Sequence, residues 1–195
     1  MIRLAAAIAT LCTLAGLVAG CGSPASRFYT LSGTATAAPA APPLQVSVAV
    51  GPVSVPGTVD RPQIVVNTGA NQVEVDEFNR WASPLQSNIS RVVAENLVAL
   101  LGAPWVTQTL GVDSDFRVAI EVQRFESTPG DSAMLDAAWL VRRVKDGKIE
   151  TGRTTVREPV AQKGYDALVA AHSRAIGRLS QDIANTVRTL DSVPR

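Results

Sequence analysis

Two segments of helical periodicity, separated by runs of alternating residues, constrain the fold of this chain more than any other feature. In the first, apolar side chains from Leu85 to Leu100 recur every three or four residues, as along one face of an amphipathic helix. The second runs from about Tyr165 to Leu190 with the same period. Each helix must cover its apolar stripe by packing against another layer of the protein.

The ends of the first helix carry recognisable signals. Ser83 is a favourable N-cap, and Pro84 suits the first helical position because its missing N–H would have no partner there. Gly102, closely followed by Pro104, is typical of a helix end. We therefore expect the helix to lie between these two signals.

Alternation of apolar and polar residues predicts a series of strands. Asn67-Thr68-Gly69 and Asp146-Gly147 lie between neighbouring strands and predict hairpin turns. The order of three strands, a helix, four strands and a helix predicts an α+β fold, with both helices packed on a mainly antiparallel sheet. The predicted strands cover residues 44–50, 64–66, 73–78, 105–110, 116–122, 133–141 and 148–160.

The first 20 residues have the pattern of a secretory signal. Arg3 supplies the positive charge, and the uncharged run from Leu4 to Ala19 would form a helix of roughly 24 Å, shorter than the hydrocarbon core of a bilayer. The run ends in Val18-Ala19-Gly20-Cys21, which resembles the lipobox of bacterial lipoproteins. We therefore predict cleavage before Cys21 and acylation of its thiol. A plain export signal with a chance cysteine is the alternative.

Acylation would anchor the protein without any membrane-spanning segment. Two or more acyl chains on Cys21 hold a protein stably at a bilayer. Gly22 stands where an Asp would mark retention in the inner membrane, which favours the outer membrane, facing the periplasm.

Residues 21–43 are expected to be the lipidated cysteine and a flexible Ala/Pro linker, followed by a single domain over residues 44–195. The stretch from Ser32 to Pro43 is small and proline-rich, and residues 22–43 as a free chain would average roughly 25 Å from end to end. The apolar island Arg27–Leu31 is expected to add a strand to this domain or to a neighbouring copy.

Composition excludes several classes of function. The 18 basic and 17 acidic side chains nearly cancel, so no excess of positive charge exists for a nucleic-acid backbone. One His and two Cys are too few for a zinc cluster, and both Cys lie within the first 21 residues, which leaves no disulfide framework for the domain. We therefore expect no nucleic-acid partner, no metal and no cofactor.

The sequence carries no constellation that indicates catalysis. His172 is the candidate general base at neutral pH, but it lies on the apolar stripe of the last helix, where a packed core histidine is expected. The carboxylate pair Asp76 and Glu77 is expected to be a solvated loop or edge charge. A nucleophile elbow and a glycine-rich phosphate loop are missing from the sequence. We therefore predict that the protein is not an enzyme.

Several short motifs follow one another along most of the chain. With the lipobox, their order and spacing resemble the intermembrane-transport lipoproteins of the PqiC family, the auxiliary lipoproteins of ABC-type, MCE-linked transport systems. The motifs are Phe28-Tyr29-Thr30-Leu31, Arg61-Pro62-Gln63-Ile64-Val65, Asn79-Arg80-Trp81-Ala82-Ser83-Pro84-Leu85, Trp139, Tyr165-Asp166-Ala167-Leu168-Val169 and Asp182-Ile183-Ala184.

The resemblance implies a non-catalytic lipoprotein of the outer membrane. Its partners would be an MCE-domain ring or tube protein, which conducts lipids across the periplasm, and the inner-membrane transport component that completes the path. Docking at the far end of the tube would support envelope integrity. A ring-shaped partner also suits a matching homo-oligomer of this chain.

Two segments are candidates for contact with such a partner. One precedes the first helix, where an aromatic residue beside an arginine suits a binding hot spot; the alternative is that Trp81 simply holds the helix start to the core. The other segment is Arg61-Pro62-Gln63, which either presents a polar surface to a partner or only begins an edge strand. The candidate residues are Arg61, Pro62, Gln63, Asn79, Arg80 and Trp81.

Two other functions stay open at this point. A periplasmic lipid carrier or chaperone would hold acyl chains in its own cavity, between sheet and helices. A structural envelope lipoprotein would need neither a cavity nor a transport partner. The alanine-rich helix faces predict close packing, which argues against a large cavity.

Overall fold

The structure is a computed structural model that describes residues 24–36, 42–103, 105–108 and 113–192. The predicted signal segment, the predicted acylation site Cys21 and the helix-end residue Pro104 lie outside the described residues. The two helices are α1, Leu85–Leu101, and α2, Tyr165–Ser192. The strands are β1 Arg27–Tyr29, β2 Ser47–Ser54, β3 Gln63–Gly69, β4 Gln72–Trp81, β5 Trp105–Thr107, β6 Phe116–Thr128, β7 Ser132–Arg143 and β8 Ile149–Pro159.

These strands form two sheets rather than the single sheet expected. The small sheet has the order β1-β4-β3, and the large sheet has the order β5-β2-β6-β7-β8. Pairing is antiparallel for β3 with β4, for β6 with β7 and for β7 with β8. Strand β1 runs parallel to β4, and β2 runs parallel to both β5 and β6. The predicted α+β class with mostly antiparallel pairing is confirmed.

The core lies between the large sheet and the two helices. Alternate residues of β6 are buried, as the sequence pattern predicted, and Phe116, Val118 and Ile120 are at most 3% exposed. The apolar stripe of α2 faces them, and each fully buried Leu or Ile contributes roughly 1.5–3 kcal/mol. The stripe is Leu168, Ile176, Leu179, Ile183, Val187 and Leu190.

Helix α1 ends as predicted but begins differently. Gly102 adopts a left-handed conformation with φ of 63°, and its N–H donates to the Val98 carbonyl at 3.0 Å. At the other end Pro84 takes the cap position, and no side chain caps the helix, so the predicted Ser83 cap is wrong. The Pro84 carbonyl instead accepts the first helical bond, from the N–H of Asn88.

The β3–β4 hairpin is confirmed, although its turn lies further along the chain. Strand β3 continues through Asn67 to Gly69, and the turn falls at Ala70 and Asn71. The second predicted turn is confirmed at Asp146-Gly147, where Gly147 has a φ of 71°. The strand predicted over residues 105–110 is seen over 105–107, with 109 and 110 outside the described residues.

The expectation that residues 21–43 form a linker is wrong for residues 27–36. Strand β1 pairs with β4, and Leu31 is fully buried. The next residues are bound by both helices: the Ser32 N–H donates to Ser173 Oγ, and the Asn96 side-chain oxygen accepts the N–H groups of Thr34 and Ala35. The apolar island therefore adds its strand to its own domain, and the residues that follow it bridge α1 and α2. Within the described ranges, no helix combines the length and apolar character needed to cross a membrane.

Candidate functional site

Strand β4 carries a three-residue bulge beside β3. The pairing steps from Ile64 opposite Asp76 to Gln63 opposite Arg80, so three residues of β4 are looped out. The Asp76 Oδ1 atom accepts the backbone N–H groups of Phe78 and Asn79, both at 2.8 Å. These two local bonds replace the β3 hydrogen bonds that the looped-out residues lack. Asp side chains commonly bind nearby backbone N–H groups in this way in turns.

The same carboxylate joins three elements of the fold. The Tyr165 hydroxyl at the start of α2 donates to Asp76 Oδ2 at 2.5 Å. The Asn79 amide donates to Asp76 Oδ2 at 2.9 Å and, through its oxygen, accepts the Tyr29 hydroxyl of β1 at 2.9 Å. The two tyrosine rings lie 5.9 Å apart. We call these four residues the tyrosine–aspartate network.

The network shifts the pKa values of two of its members. Burial acts to raise the pKa of Asp76, but hydrogen bonds from Tyr165, Asn79 and two backbone N–H groups outweigh it and lower that pKa below its ordinary value. Burial, followed by the bond to Asp76, raises the pKa of the Tyr165 hydroxyl. Asp76 is therefore a structural carboxylate, and the expectation that it is a solvated edge charge is wrong.

The structure brings the two predicted contact segments side by side. Gln63 lies opposite Arg80, and both side chains reach Glu77 on the bulge: Gln63 Nε2 at 3.3 Å and the Arg80 guanidinium at 3.4 Å. Arg61 and Pro62 are exposed just before β3. We call Arg61, Pro62, Gln63, Glu77 and Arg80 the β3–β4 patch. It is a polar surface with both signs of charge.

Trp81 lies apart from this patch, in the core. Its indole is 5% exposed and meets the ring of Phe125 edge to face, with 6.2 Å between ring centres. The burial agrees with the alternative that Trp81 holds the start of α1 to the core, and it leaves almost no indole surface for a partner. The Asn79 side chain also binds within the domain, because its amide donates to Asp76 and accepts from Tyr29 in the tyrosine–aspartate network.

A second polar network joins the large sheet to α2. The Trp139 Nε1–H donates to Thr154 Oγ1 at 3.0 Å, and that hydroxyl donates to the Asp182 carboxylate at 2.6 Å. The indole lies across Gly152, where any Cβ would overlap its ring. Trp139, Asp182, Tyr29, Asn79 and Tyr165 all belong to the motifs that carried the family resemblance. The two networks therefore account for these residues as joints between elements.

His172 is a core residue, as its position in the sequence predicted. The side chain is fully buried, its ring stacks on Phe125 at 3.9 Å, and Nε2 lies 2.8 Å from Ser127 Oγ. Burial lowers the pKa of His172 to about 3. The imidazole is therefore neutral at physiological pH and out of reach of a substrate. Among the described residues, no group of three or more His, Cys, Asp or Glu is placed to hold a metal ion.

The sequence patterns singled out Arg61, Gln63 and Arg80 on two separate segments but did not predict that these segments meet. The pairing of Gln63 with Arg80 is seen only in the structure. Asp76 and Tyr165 were missed as partners because 89 positions separate them, and no periodicity in the sequence links a bulge to a helix start. The available signal was Asp76 itself, because an Asp side chain favours hydrogen bonds to backbone N–H groups two or three residues further along the chain.

Comparison with known proteins supplies the family context. The family described as ABC-type transport auxiliary lipoprotein component matches residues 29–184. A crystal structure of a Xanthomonas campestris protein of family DUF330 superposes with a TM-score of 0.71 at 21% identity, covering 86% of this chain and 100% of that chain. The crystal structure of an uncharacterized protein superposes at 0.70 and 21% identity, covering 84% and 99%. These two likenesses concern the fold. No curated protein matches the chain.

Proposed function

This chain belongs to the family of ABC-type transport auxiliary lipoprotein components, and we propose that it is the docking lipoprotein of an MCE-type intermembrane lipid transport system, of the PqiC type. In this proposal acyl chains on Cys21 anchor the protein in the outer membrane, and the domain faces the periplasm. The family match over residues 29–184 carries the proposal, since it spans both sheets and most of α2.

The chemistry of the domain supports a binding role over a catalytic one. His172, the candidate general base, is buried against Phe125 and uncharged at neutral pH. The carboxylate of Asp76 is occupied by hydrogen bonds within the fold. His172 is therefore out of reach of a bound substrate while the domain is folded, and the hydrogen bonds to Asp76 favour a structural role for that carboxylate.

The β3–β4 patch is the docking surface that we propose. Strand β3 is at the edge of the small sheet, and Arg61 and Pro62 are exposed where it begins. Arginine is enriched at interface hot spots because its guanidinium makes several hydrogen bonds over an apolar stem. A tethered domain meets a tethered partner at high effective concentration, so a patch of this size suffices.

The carrier alternative requires space for acyl chains between helices and sheet. In the described residues that interface is filled, since Leu179, Ile183 and Val187 of α2 and Val118 of β6 are all fully buried. A cleft of about 660 Å³ does lie on the large sheet, around Ala119, Ala138 and Leu140. Those residues alternate with the buried ones, so the cleft is on the opposite face and open to solvent, which favours docking over carriage.

Affinity purification of the full chain tests this function. Tagged protein, extracted in detergent from its own membranes, is expected to retain an MCE-domain protein that mass spectrometry identifies. Arg61→Glu should reduce that recovery, whereas Arg117→Glu, an equal charge reversal at an exposed site on the large sheet, should leave it unchanged. Cys21→Ala should release the protein from the membrane fraction.

Other outcomes separate the alternatives. Recovery of lipid without an MCE-domain protein would support a carrier and overturn the docking role. Recovery of neither would support a structural envelope lipoprotein. Equal loss in Arg61→Glu and Arg117→Glu would keep the partner but contradict the β3–β4 patch as its contact surface.

A further inference from the structure

The proposed anchor is very close to the folded domain along the chain. Only Gly22 and Ser23 separate Cys21 from Pro24, the first residue that the structure describes. Because a chain spans at most about 3.6 Å per residue, the Cα atoms of Cys21 and Pro24 are within about 11 Å of each other. Three residues after Pro24 the chain enters β1, which is paired to the domain along its whole length.

We propose that the domain rests directly on the membrane, with the β1 edge of the small sheet against the lipid headgroups. The β1 edge consists of Pro24, Ala25, Arg27, Phe28 and Phe78. The inference relies on the acylation of Cys21 proposed above. A tether of about 11 Å is little longer than one headgroup layer, roughly 5–8 Å deep, so Pro24, at the start of this edge, is held within or just above that layer. A free linker over residues 22–43 would instead have allowed roughly 25 Å of clearance.

The β1 edge has the composition of a membrane-contacting surface. Phe28 is 64% exposed and Phe78 is 40% exposed, so this edge presents two aromatic rings to its surroundings. Arg27 pairs with Asn79 and Phe28 with Arg80, so the two Phe residues are on adjacent strands with Cα atoms on the order of 10 Å apart. A cleft of about 390 Å³ opens at this edge, lined by Pro24, Ala25, Arg27, Asp76, Phe78 and Asn79.

The bulge of β4 is what places Phe78 at this edge. The Asp76 carboxylate holds the N–H groups of Phe78 and Asn79, and the looped-out backbone carries the Phe78 ring toward Pro24. Arg27 is exposed and has no ion pair within the described residues, so its charge is available to anionic headgroups. Aromatic rings beside a cation are the side chains that partition into the interface of a bilayer.

The opposite end of the domain provides an internal reference. Phe28 is near the start of α2, because it lines the same cleft as Val169. Ile149 is near the end of α2. It pairs with Arg142, and the adjacent Arg143 donates a hydrogen bond to the Leu190 carbonyl. From residue 169 to residue 190 a helix rises about 32 Å. Ile149 is 50% exposed, a value between those of Phe28 and Phe78, so it differs from them in position rather than in exposure. The edge strand β3 is two strand spacings, about 10 Å, from β1, which leaves Arg61 accessible to a partner above the membrane.

Single-cysteine labelling of the acylated protein tests the proposal. Acylation would consume the Cys21 thiol and signal cleavage would remove Cys12, so a thiol introduced at 28, 78 or 149 is unique. The variants Phe28→Cys, Phe78→Cys and Ile149→Cys are labelled with an environment-sensitive fluorophore and placed in vesicles of phosphatidylethanolamine and phosphatidylglycerol. Labels at 28 and 78 should emit at shorter wavelength and be quenched by lipid-borne doxyl groups. The label at 149 should show neither change.

A longer tether gives a second, independent readout. A Gly/Ser insertion of about ten residues between Ser23 and Pro24 should let the domain leave the surface and reduce the quenching at 28 and 78. Labels at 28 and 78 that stay in water, or a label at 149 quenched as strongly, would overturn the proposed orientation while the anchor stands. An unacylated Cys21, shown by the mass of the mature protein, would overturn the anchor and the orientation with it.

Discussion

The Tyr165 hydroxyl lies 2.5 Å from the Asp76 carboxylate, although 89 positions separate the two residues in the chain. The bond connects the first residue of α2 to the bulge of β4, and through Asn79 it reaches Tyr29 on β1. One carboxylate therefore sets the positions of a helix start, a strand bulge and the strand nearest the proposed anchor.

Loss of the Asp76 charge should make the free energy of unfolding depend less on pH in acid. The folded-state pKa of Asp76 is lowered, so its contribution is present at neutral pH and is lost as the pH falls below about 4. Asp76→Asn should lower the free energy of unfolding at pH 7 by roughly 1–3 kcal/mol and flatten its decline in acid. Denaturant titrations at several pH values measure both effects.

Asp60→Asn is the matched control for this variant. The Asp60 side chain is exposed and has no hydrogen-bond partner within the described residues, so its stability curve should follow that of the wild-type protein. Equal losses in both variants would contradict the role given to the tyrosine–aspartate network.

His172 should make stability decline below pH 6.5. Burial lowers its folded-state pKa to about 3, whereas the unfolded chain takes up a proton near pH 6.5. Between these values the free energy of unfolding should fall by about 1.4 kcal/mol per pH unit from this group. The chain has one histidine, so His172→Phe should abolish the slope between pH 6.5 and 5. Ser127→Ala keeps the imidazole and should therefore retain the slope. An unchanged slope in His172→Phe would contradict the burial of His172 as a neutral group.

Trp81→Ala should destabilise the domain far more than Trp105→Ala. Trp81 is 5% exposed against Phe125, and truncation of a buried aromatic side chain costs about 3–5 kcal/mol. Trp105 is 73% exposed, and its truncation should change stability by less than about 0.5 kcal/mol. Thermal melts of the two variants decide the matter. A melting temperature of Trp81→Ala within a few degrees of wild type would return Trp81 to the list of partner contacts.

Gly152→Ala should displace the Trp139 indole. A Cβ at this position would overlap the rigid ring, which must then move away from Thr154 and break the bond that leads to Asp182. We expect a loss of about 1–3 kcal/mol in stability and a change in tryptophan fluorescence. Gly69→Ala is the control, because its Cβ would meet only Gln72 at an ordinary 3.6 Å. Similar effects in both variants would point to a general cost of replacing glycine in a strand.

Local patterns in the sequence determined the elements of this protein. Both helices, the two hairpins, the Asp146-Gly147 turn, the Gly102 helix end and the burial of His172 followed from periodicity and turn residues, because these signals depend on neighbours within a few positions. The signals for Cys21 and for the family motifs were likewise readable in the chain itself.

Tertiary structure alone decided which of these elements meet. Residues 32–36 were interpreted as linker because small residues carry no periodicity, yet Ser173 of α2 and Asn96 of α1 bind the backbone N–H groups of this segment. The same holds for Trp81, whose position before a helix suited either core or surface until Phe125 was seen beside it. Burial and hydrogen bonding between distant segments are properties of the assembled core, and no local pattern encodes them.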